Sequence, residues 1–379
     1  MSFLLSIERY LPPHRYRQEE VTRWVRAWLE ENGGAAAARL LSVYETAGVE
    51  RRASVVPIEE VFAPRDFERQ NDRYIDIARA AGAETARRAL ERAELRPADV
   101  DLVVSVSCTG FMIPAVDAYV ADALGMGPRL ARLPITESGC AGGVLALARA
   151  GDYLAAHPDR CALVIALEFA SLTFQRWDRS ATNVVSTAIF GDGGAAVVMA
   201  GPDHPRARGA ALARLAGAES LFFPGTTHLM GFRLRNPGLQ IVLDRELAPF
   251  VRREVGAAVK RFLEPRGLRR EDITRWVMHP GGRRIIEVMS DKLGLTERDL
   301  APTEAVLAEH GNMSSVTVLF VLDEILRTDR PRPGERGVLG AFGPGFGAEF
   351  ASARRGGPRS RGAGEPGRHA PGEPLAGHA

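Results

Sequence analysis

The sequence predicts an α/β fold made of two halves in similar order. Apolar runs of strand length, Val100–Val106 (VDLVVSV), 162–167 (ALVIAL) and 275–278 (RWVM), alternate with stretches of helical periodicity. Alternation of this kind specifies a largely parallel or mixed sheet covered by helices. The order of helix, strand and glycine-rich turn recurs in the second half, which suggests an internal duplication without a residue-level repeat. A join near residues 200–220, in GPDHPRARG and just after, divides the chain into 1–212, 213–353 and a tail of 354–379.

The elements follow in order. The N-terminal MSFLLSIERY has an apolar run but no basic stretch or small-residue cleavage site, so it reads as a first strand and not a signal peptide. Residues 17–31 place Val21, Trp24, Val25 and Leu29 on one helical face, with Gly33 and Gly34 to stop the helix. A second helix spans 74–94. Strand 100–106 ends in the loop Ser107-Cys108-Thr109-Gly110, and a helix at 115–124 follows. Cys140 precedes a long helix of small and apolar residues at 141–156. Strand 162–167, a helix at 180–188 and strand 195–199 complete the first half. In the second, a helix at 244–263 leads to strand 275–278 and a helix at 283–293. A further helix opens at HGNMSS and runs over 315–327, and the last strand, 337–341, turns at FGPG. From Arg354 onward Leu375 is the only large apolar residue, too little to offset the entropy of ordering, so the tail is predicted to be disordered.

Composition narrows the function. Of 379 residues 45% are hydrophobic and 25% charged, which excludes collagen, coiled coil or wholesale disorder as the main architecture. No run approaches the roughly 20 apolar residues of a membrane helix, so a cytoplasmic protein with no membrane partner is expected. Basic residues are almost all Arg, with Lys only at Lys260 and Lys292. They are scattered with no basic stripe, which argues against a nucleic-acid partner. Three cysteines, Cys108, Cys140 and Cys161, do not make a disulfide framework. Metal-ligand spacings such as CxxC or HExxH are missing, so neither a metal nor another cofactor is expected.

Cys140 is the sharpest chemical signal. A thiol at a helix start feels the positive end of the helix dipole, and its pKa is expected to fall. Gly139, Gly142 and Gly143 around it would let an acyl group approach. The plainer alternative is a core cysteine. His279 ends an apolar strand before Pro280-Gly281-Gly282, where it can project into a cleft; a surface or core histidine is the alternative. Asn312 precedes an apolar helix, where an ordinary cap is the alternative. Asp192, in FGDGG, reads as a turn former and not a base. Together Cys140, His279 and Asn312 could form a thiolate–imidazolium pair with an amide donor beside it. Two chemistries use such a set: a papain-like hydrolase, whose Cys lies near the mature N-terminus, and a carbon–carbon condensing enzyme.

The chain resembles the type III polyketide synthases, the chalcone-synthase-like enzymes. GCAGG (139–143), IFGDGGAA (189–196), MHPGG (278–282), HGNMSS (310–315) and FGPG (342–345) occur in that family's order and spacing, over residues 3–352. The resemblance implies a thiolase-like fold, a duplicated five-layered αβαβα sandwich, and a homodimer. It implies an acyltransferase that condenses malonyl-CoA onto an acyl-CoA starter with decarboxylation. Cys140 would carry the acyl chain, and His279 and Asn312 would hold the malonyl thioester oxygen.

Further positions follow from the same resemblance. Phe190 matches a gating aromatic; the second gate position is Ile241, and the residue reaching across the dimer is Ile113. Cys108 and Thr173 match cavity residues, and Ser314 and Phe342 are assigned to the cavity with them. Ala341 stands where a glycine is expected. Of the basic residues that would hold CoA, Arg39 fits one position, while Ser42 and Thr46 replace others. Arg51, Arg52, Arg283 and Arg284, with Gly281, are the substitutes. Small residues at Ala115, Ala141 and Ala341 point to a fatty acyl starter and alkylpyrone or alkylresorcinol products. Cys108 keeps a tetrahydroxynaphthalene-type synthase as an alternative, beside a chalcone-type enzyme with another starter and a ketoacyl synthase III.

Overall fold

The computed structural model describes residues 1–31, 40–207, 211–236, 238–329 and 331–355. Gly33, Gly34, Arg39 and all of the tail after Arg355 lie outside them. Thirteen strands are described: β1 (Ser2–Tyr10), β2 (His14–Arg17), β3 (Arg51–Ser54), β4 (Leu102–Val106), β5 (Ala131–Ile135), β6 (Cys161–Phe169), β7 (Asp192–Ala200), β8 (Ala213–Phe222), β9 (Met230–Arg235), β10 (Gly238–Leu243), β11 (Arg275–Met278), β12 (Arg336–Gly343) and β13 (Gly347–Arg355). Nine form one mixed sheet in the order β11-β12-β13-β8-β1-β7-β6-β4-β5, while β2 and β3 make a separate two-stranded sheet and β9-β10 a hairpin. β4 runs parallel to β5 and β6, and β11 parallel to β12; the other pairs are antiparallel.

Strand alternation sorts side chains into layers. Val104, Val164 and Val197 of the first half point to one side, and Val277, Leu339 and Ala351 of the second half join them in a single core. That core is filled by two helices, Gly142–Ala156 and Thr317–Glu324, through Leu147, Leu154, Leu319 and Phe320. Their alternate neighbours, Val103, Leu163 and Val198, face the helix Phe67–Arg92 on the outside. Trp276, Val338 and Phe350 face the helices Leu247–Leu263 and Arg283–Leu293 on the other outside. Helix, one half of the sheet, paired central helices, the other half of the sheet and helix make five layers, and the central pair belongs half to each part of the chain.

Several boundaries move for local reasons. The helix expected at 74–94 starts at Phe67, because Asp66 accepts from the backbone of Arg69 at 2.8 Å and caps it before any apolar periodicity begins. The helix expected at 315–327 is a 3-10 turn, Ser314–Val316, then an α-helix to Glu324 and a π-helical end. The helix Glu297–His310 was not anticipated; Pro302 lies inside it and its apolar face is weak in sequence. Arg354 and Arg355, expected in a disordered tail, pair with Arg214 and Ala213 in β13–β8. Hairpin β9-β10 carries exposed Phe232 and Leu234, so its pattern does not read as a buried strand.

Candidate active site

Cys140 sits in a 3-10 turn, Gly139–Ala141, between β5 and the central helix Gly142–Ala156. The turn is tight: Gly139 has φ of +49°, and a Cβ there would lie 2.7 Å from Pro344. Cys140 is 5% exposed and lines a cavity of about 450 Å³. Ser314 and Asn312 lie beside its thiol and act on its ionisation. The expected fall in its pKa does not occur. Burial pushes the thiol up to about 12, with the Glu168 carboxylate adding to the rise, against the opposite effect of Ser314, Asn312 and the turn's own backbone. A single turn of dipole does not outweigh complete burial.

Asn312 is positioned by backbone on both sides. Its N–H donates to Ile189 O at 2.9 Å, and its carbonyl accepts from Gly191 N at 3.0 Å, a one-residue bridge to Phe190. Its side-chain oxygen accepts from Ser314 N at 2.8 Å and from the Thr317 hydroxyl at 3.4 Å. Asn312 is not the cap of the helix that follows, since Met313 holds that position; its oxygen closes the turn before it, and Nδ2 donates to Gly281 O at 3.4 Å.

His279 follows β11, and its N–H bonds to Gly340 O of the adjoining β12 at 2.9 Å. It is 4% exposed, and both ring nitrogens are buried without a hydrogen-bond partner. Burial lowers its pKa to about 3, so the ring is neutral. Burial thus opposes both members of a thiolate–imidazolium pair, raising the thiol and lowering the imidazole. Burial opposes either ion alone. It opposes far less a proton passed from thiol to imidazole, which leaves the net charge unchanged.

A fully buried carboxylate, Glu168 at the end of β6, was not anticipated. Its partners are neutral: Ser315 Oγ at 2.5 Å, Thr109 Oγ1 at 2.9 Å and Cys108 N at 3.1 Å. Burial raises its pKa. The signal available in sequence was a lone acid closing an otherwise apolar strand. Cys108 lies 3.5 Å from Glu168 and 3.4 Å from the Ser314 hydroxyl. Its own pKa is well raised by burial and by that carboxylate. Asp192 is no turn former. It opens β7 as a buried carboxylate taking the backbone N–H groups of Val55 and Ser171, both at 2.8 Å.

The cavity is lined by Phe190, Cys108, Thr173, Ile241 and Ser314. Phe342 does not line it. Its ring stacks on Phe346 at 5.7 Å and meets Phe350 edge-on, because the alternation of β12 turns it into the outer core. Ile113 is fully exposed and does not line the cavity of its own chain.

The candidate CoA contacts scatter. Arg39 is outside the described residues. Arg51 pairs with Glu309 at 2.7 Å and Arg283 with Glu287 at 3.2 Å, both exposed. Arg284 is exposed, and Gly281 is engaged through its carbonyl by Asn312. Arg52 is buried against backbone carbonyls and is not available to a phosphate. Among the described residues no group of His, Cys, Asp and Glu is arranged to hold a metal ion, and no helix is long and apolar enough to cross a membrane.

The comparisons with known proteins converge. Residues 61–203 match the family described as chalcone and stilbene synthases, N-terminal domain, and residues 214–354 match its C-terminal domain. The chain is 40% identical over 349 residues to a 1,3,6,8-tetrahydroxynaphthalene synthase of Streptomyces peucetius subsp. caesius, covering 92% of each. It is 30% identical to an alpha-pyrone synthesis polyketide synthase-like protein of Mycobacterium tuberculosis, over 82% of this chain and 81% of that one. Among solved structures it is similar to the 1,3,6,8-tetrahydroxynaphthalene synthase of Streptomyces coelicolor A3(2), a bacterial type III polyketide synthase. The TM-score is 0.87 at 30% identity, over 93% of this chain and 99% of that one.

Proposed function

The chain belongs to the chalcone and stilbene synthase family, the type III polyketide synthases of thiolase-like fold, and from that premise we propose that Cys140 carries the growing acyl chain while His279 and Asn312 activate malonyl-CoA. The Cys140 sulfur attacks the starter thioester, its proton passing to His279. The carbon–sulfur bond to CoA breaks, and CoA leaves with the proton. Malonyl-CoA then binds with its thioester oxygen at Asn312 Nδ2 and a His279 nitrogen. Loss of carbon dioxide leaves an enolate whose negative oxygen these donors stabilise. The enolate carbon attacks the Cys140 thioester, the sulfur departs, and the extended chain, now on CoA, reloads for the next round or cyclises. Neutral donors suit this step, since a carboxylate in place of Asn312 would repel the oxyanion.

The observation that carries the reading is the buried Cys140 thiol, beside Asn312 and at the wall of the cavity that Phe190 and Ile241 also line. Cys140→Ala should abolish product and leave the fold intact. Intact-mass spectrometry after adding acyl-CoA should place the adduct on Cys140; an adduct only on Cys108 or Cys161 overturns the assignment.

For the product we infer a tetrahydroxynaphthalene-type polyketide made from malonyl-derived units alone. Similarity to synthases of that compound and Cys108 in the cavity wall support it. A second reading, a fatty acyl starter giving alkylpyrones or alkylresorcinols, is favoured by the apolar part of the cavity, where Val21, Ile58, Phe62 and Phe174 form the wall. Product masses from malonyl-CoA alone, and from malonyl-CoA with acyl-CoA starters of graded length, separate the two. CoA thioester substrates support a cytoplasmic location. The fully exposed Ile113, with exposed Phe111 nearby, supports a homodimer.

A further inference from the structure

We propose that Arg52 is a positioning residue for the condensation, holding the backbone strip that places the Asn312 donor. The proposal rests on the reading of Asn312 as an oxyanion donor. Arg52, on β3, is 6% exposed, and its guanidinium meets the C-terminal end of the helix Ala181–Ile189. Nη1 donates to Thr187 O at 2.5 Å and to Phe190 O at 2.7 Å. Nη2 donates to Ala188 O at 2.7 Å and to Gln18 Oε1. Gln18 in turn donates to Ala188 O at 2.9 Å.

A helix end leaves its last carbonyls without intrahelical partners and carries partial negative charge. Here one planar cation takes three of those carbonyls at once. Burial lowers the pKa of Arg52 only to about 10, with Asp192 nearby supporting the charge, so the fork remains cationic at neutral pH. The strip it grips is the one that sets Asn312. Arg52 holds the carbonyl of Phe190, and the backbone of Asn312 holds Ile189 O at 2.9 Å and Gly191 N at 3.0 Å on either side of it. Movement of residues 189–191 therefore shifts the Asn312 amide and the Phe190 ring together. A lysine could supply the charge but not the fork that spans three carbonyls and the Gln18 amide.

The test compares Arg52→Lys, Asn312→Ala and the double variant. Malonyl-CoA decarboxylation is measured separately from acylation of Cys140, which is followed by intact mass. Arg52→Lys should slow decarboxylation by on the order of 10², the scale of a small misplacement of a catalytic group, and change acylation by no more than a few-fold. In the Asn312→Ala background the same change should have little further effect, because the route by which Arg52 acts is already gone. Gln18→Leu removes the outer support of the same fork and should show the same non-additivity at smaller amplitude; it serves if Arg52→Lys does not fold. Equal slowing of both steps, or effects that multiply in the double variant, would overturn the proposal while leaving the synthase reading intact. Asn312→Ala decarboxylating at full rate removes the donor assignment and this proposal with it.

Discussion

Asn312 Nδ2 and the carbonyl oxygen of Gly281 are joined by a 3.4 Å hydrogen bond. Asn312 opens the turn into one central helix, and Gly281 lies two residues past His279 in the loop after β11. The same Asn312 lies beside the Cys140 thiol and favours its ionisation. One amide thus links two segments of the second half to the nucleophile of the first. The long bond to Gly281 is weak, which suits a donor that must exchange its resting partner for a substrate oxygen.

Loss of the proposed Asn312 donor should slow decarboxylation without blocking acyl transfer to Cys140, whereas loss of His279, proposed to take the Cys140 proton as well, should impair both steps. For Asn312→Ala a fall of about 10²–10³ in decarboxylation is expected, the usual cost of a missing oxyanion donor. Release of labelled carbon dioxide from malonyl-CoA reports it directly. Unchanged release with impaired starter loading would assign Asn312 to the wrong half-reaction.

Cys108 should steer the chain and not carry it. It shares Ser314 with Cys140 and touches Glu168. Cys108→Ser is nearly isosteric, so acylation of Cys140 should be unaffected. The ratio of lactone shunt products to the main product should change, measured by chromatography with mass detection. The same product profile beside a lower melting temperature would reduce Cys108 to a packing residue.

Ile113 should belong to a subunit interface. A fully exposed isoleucine near a partly exposed Phe111 leaves apolar surface in water. Ile113→Asp should weaken a dimer, shifting the mass found by light scattering toward the monomer at micromolar concentration. A dimer of unchanged affinity would place the interface elsewhere.

Acid should destabilise the protein through His310. This residue ends the helix Glu297–His310, packs edge-on against Phe320 at 5.2 Å, and is lowered to about 4, chiefly by burial and by Arg9. Its unfolded pKa is 6.5, so between 6.5 and about 4 the unfolded chain binds a proton that the folded protein refuses. Stability is present above pH 6.5 and is lost as the pH falls through that window, by roughly 3 kcal/mol in full. His310→Gln should flatten the decline in denaturation midpoint over the same range. Parallel curves for the two proteins would show that His310 titrates normally.

Much of this molecule is determined locally, and the sequence reads accordingly. The strand β11 and the helix Arg283–Leu293 lie where their apolar patterns put them. Cys140, His279 and Asn312 stood out because each follows or opens a regular element at a glycine-rich turn. Other features exist only once distant segments meet. Glu168 becomes a buried carboxylate because β6 ends beneath Ser315 and Thr109. Phe342, legible as part of a motif, is turned by strand alternation into a stack with Phe346. The protonation of the site is likewise tertiary: a helix start alone would lower the pKa of Cys140, but complete burial raises it and holds His279 neutral. Periodicity and turn chemistry act over a few residues and survive in the sequence, whereas desolvation depends on everything that surrounds a group and is decided only by the packed fold.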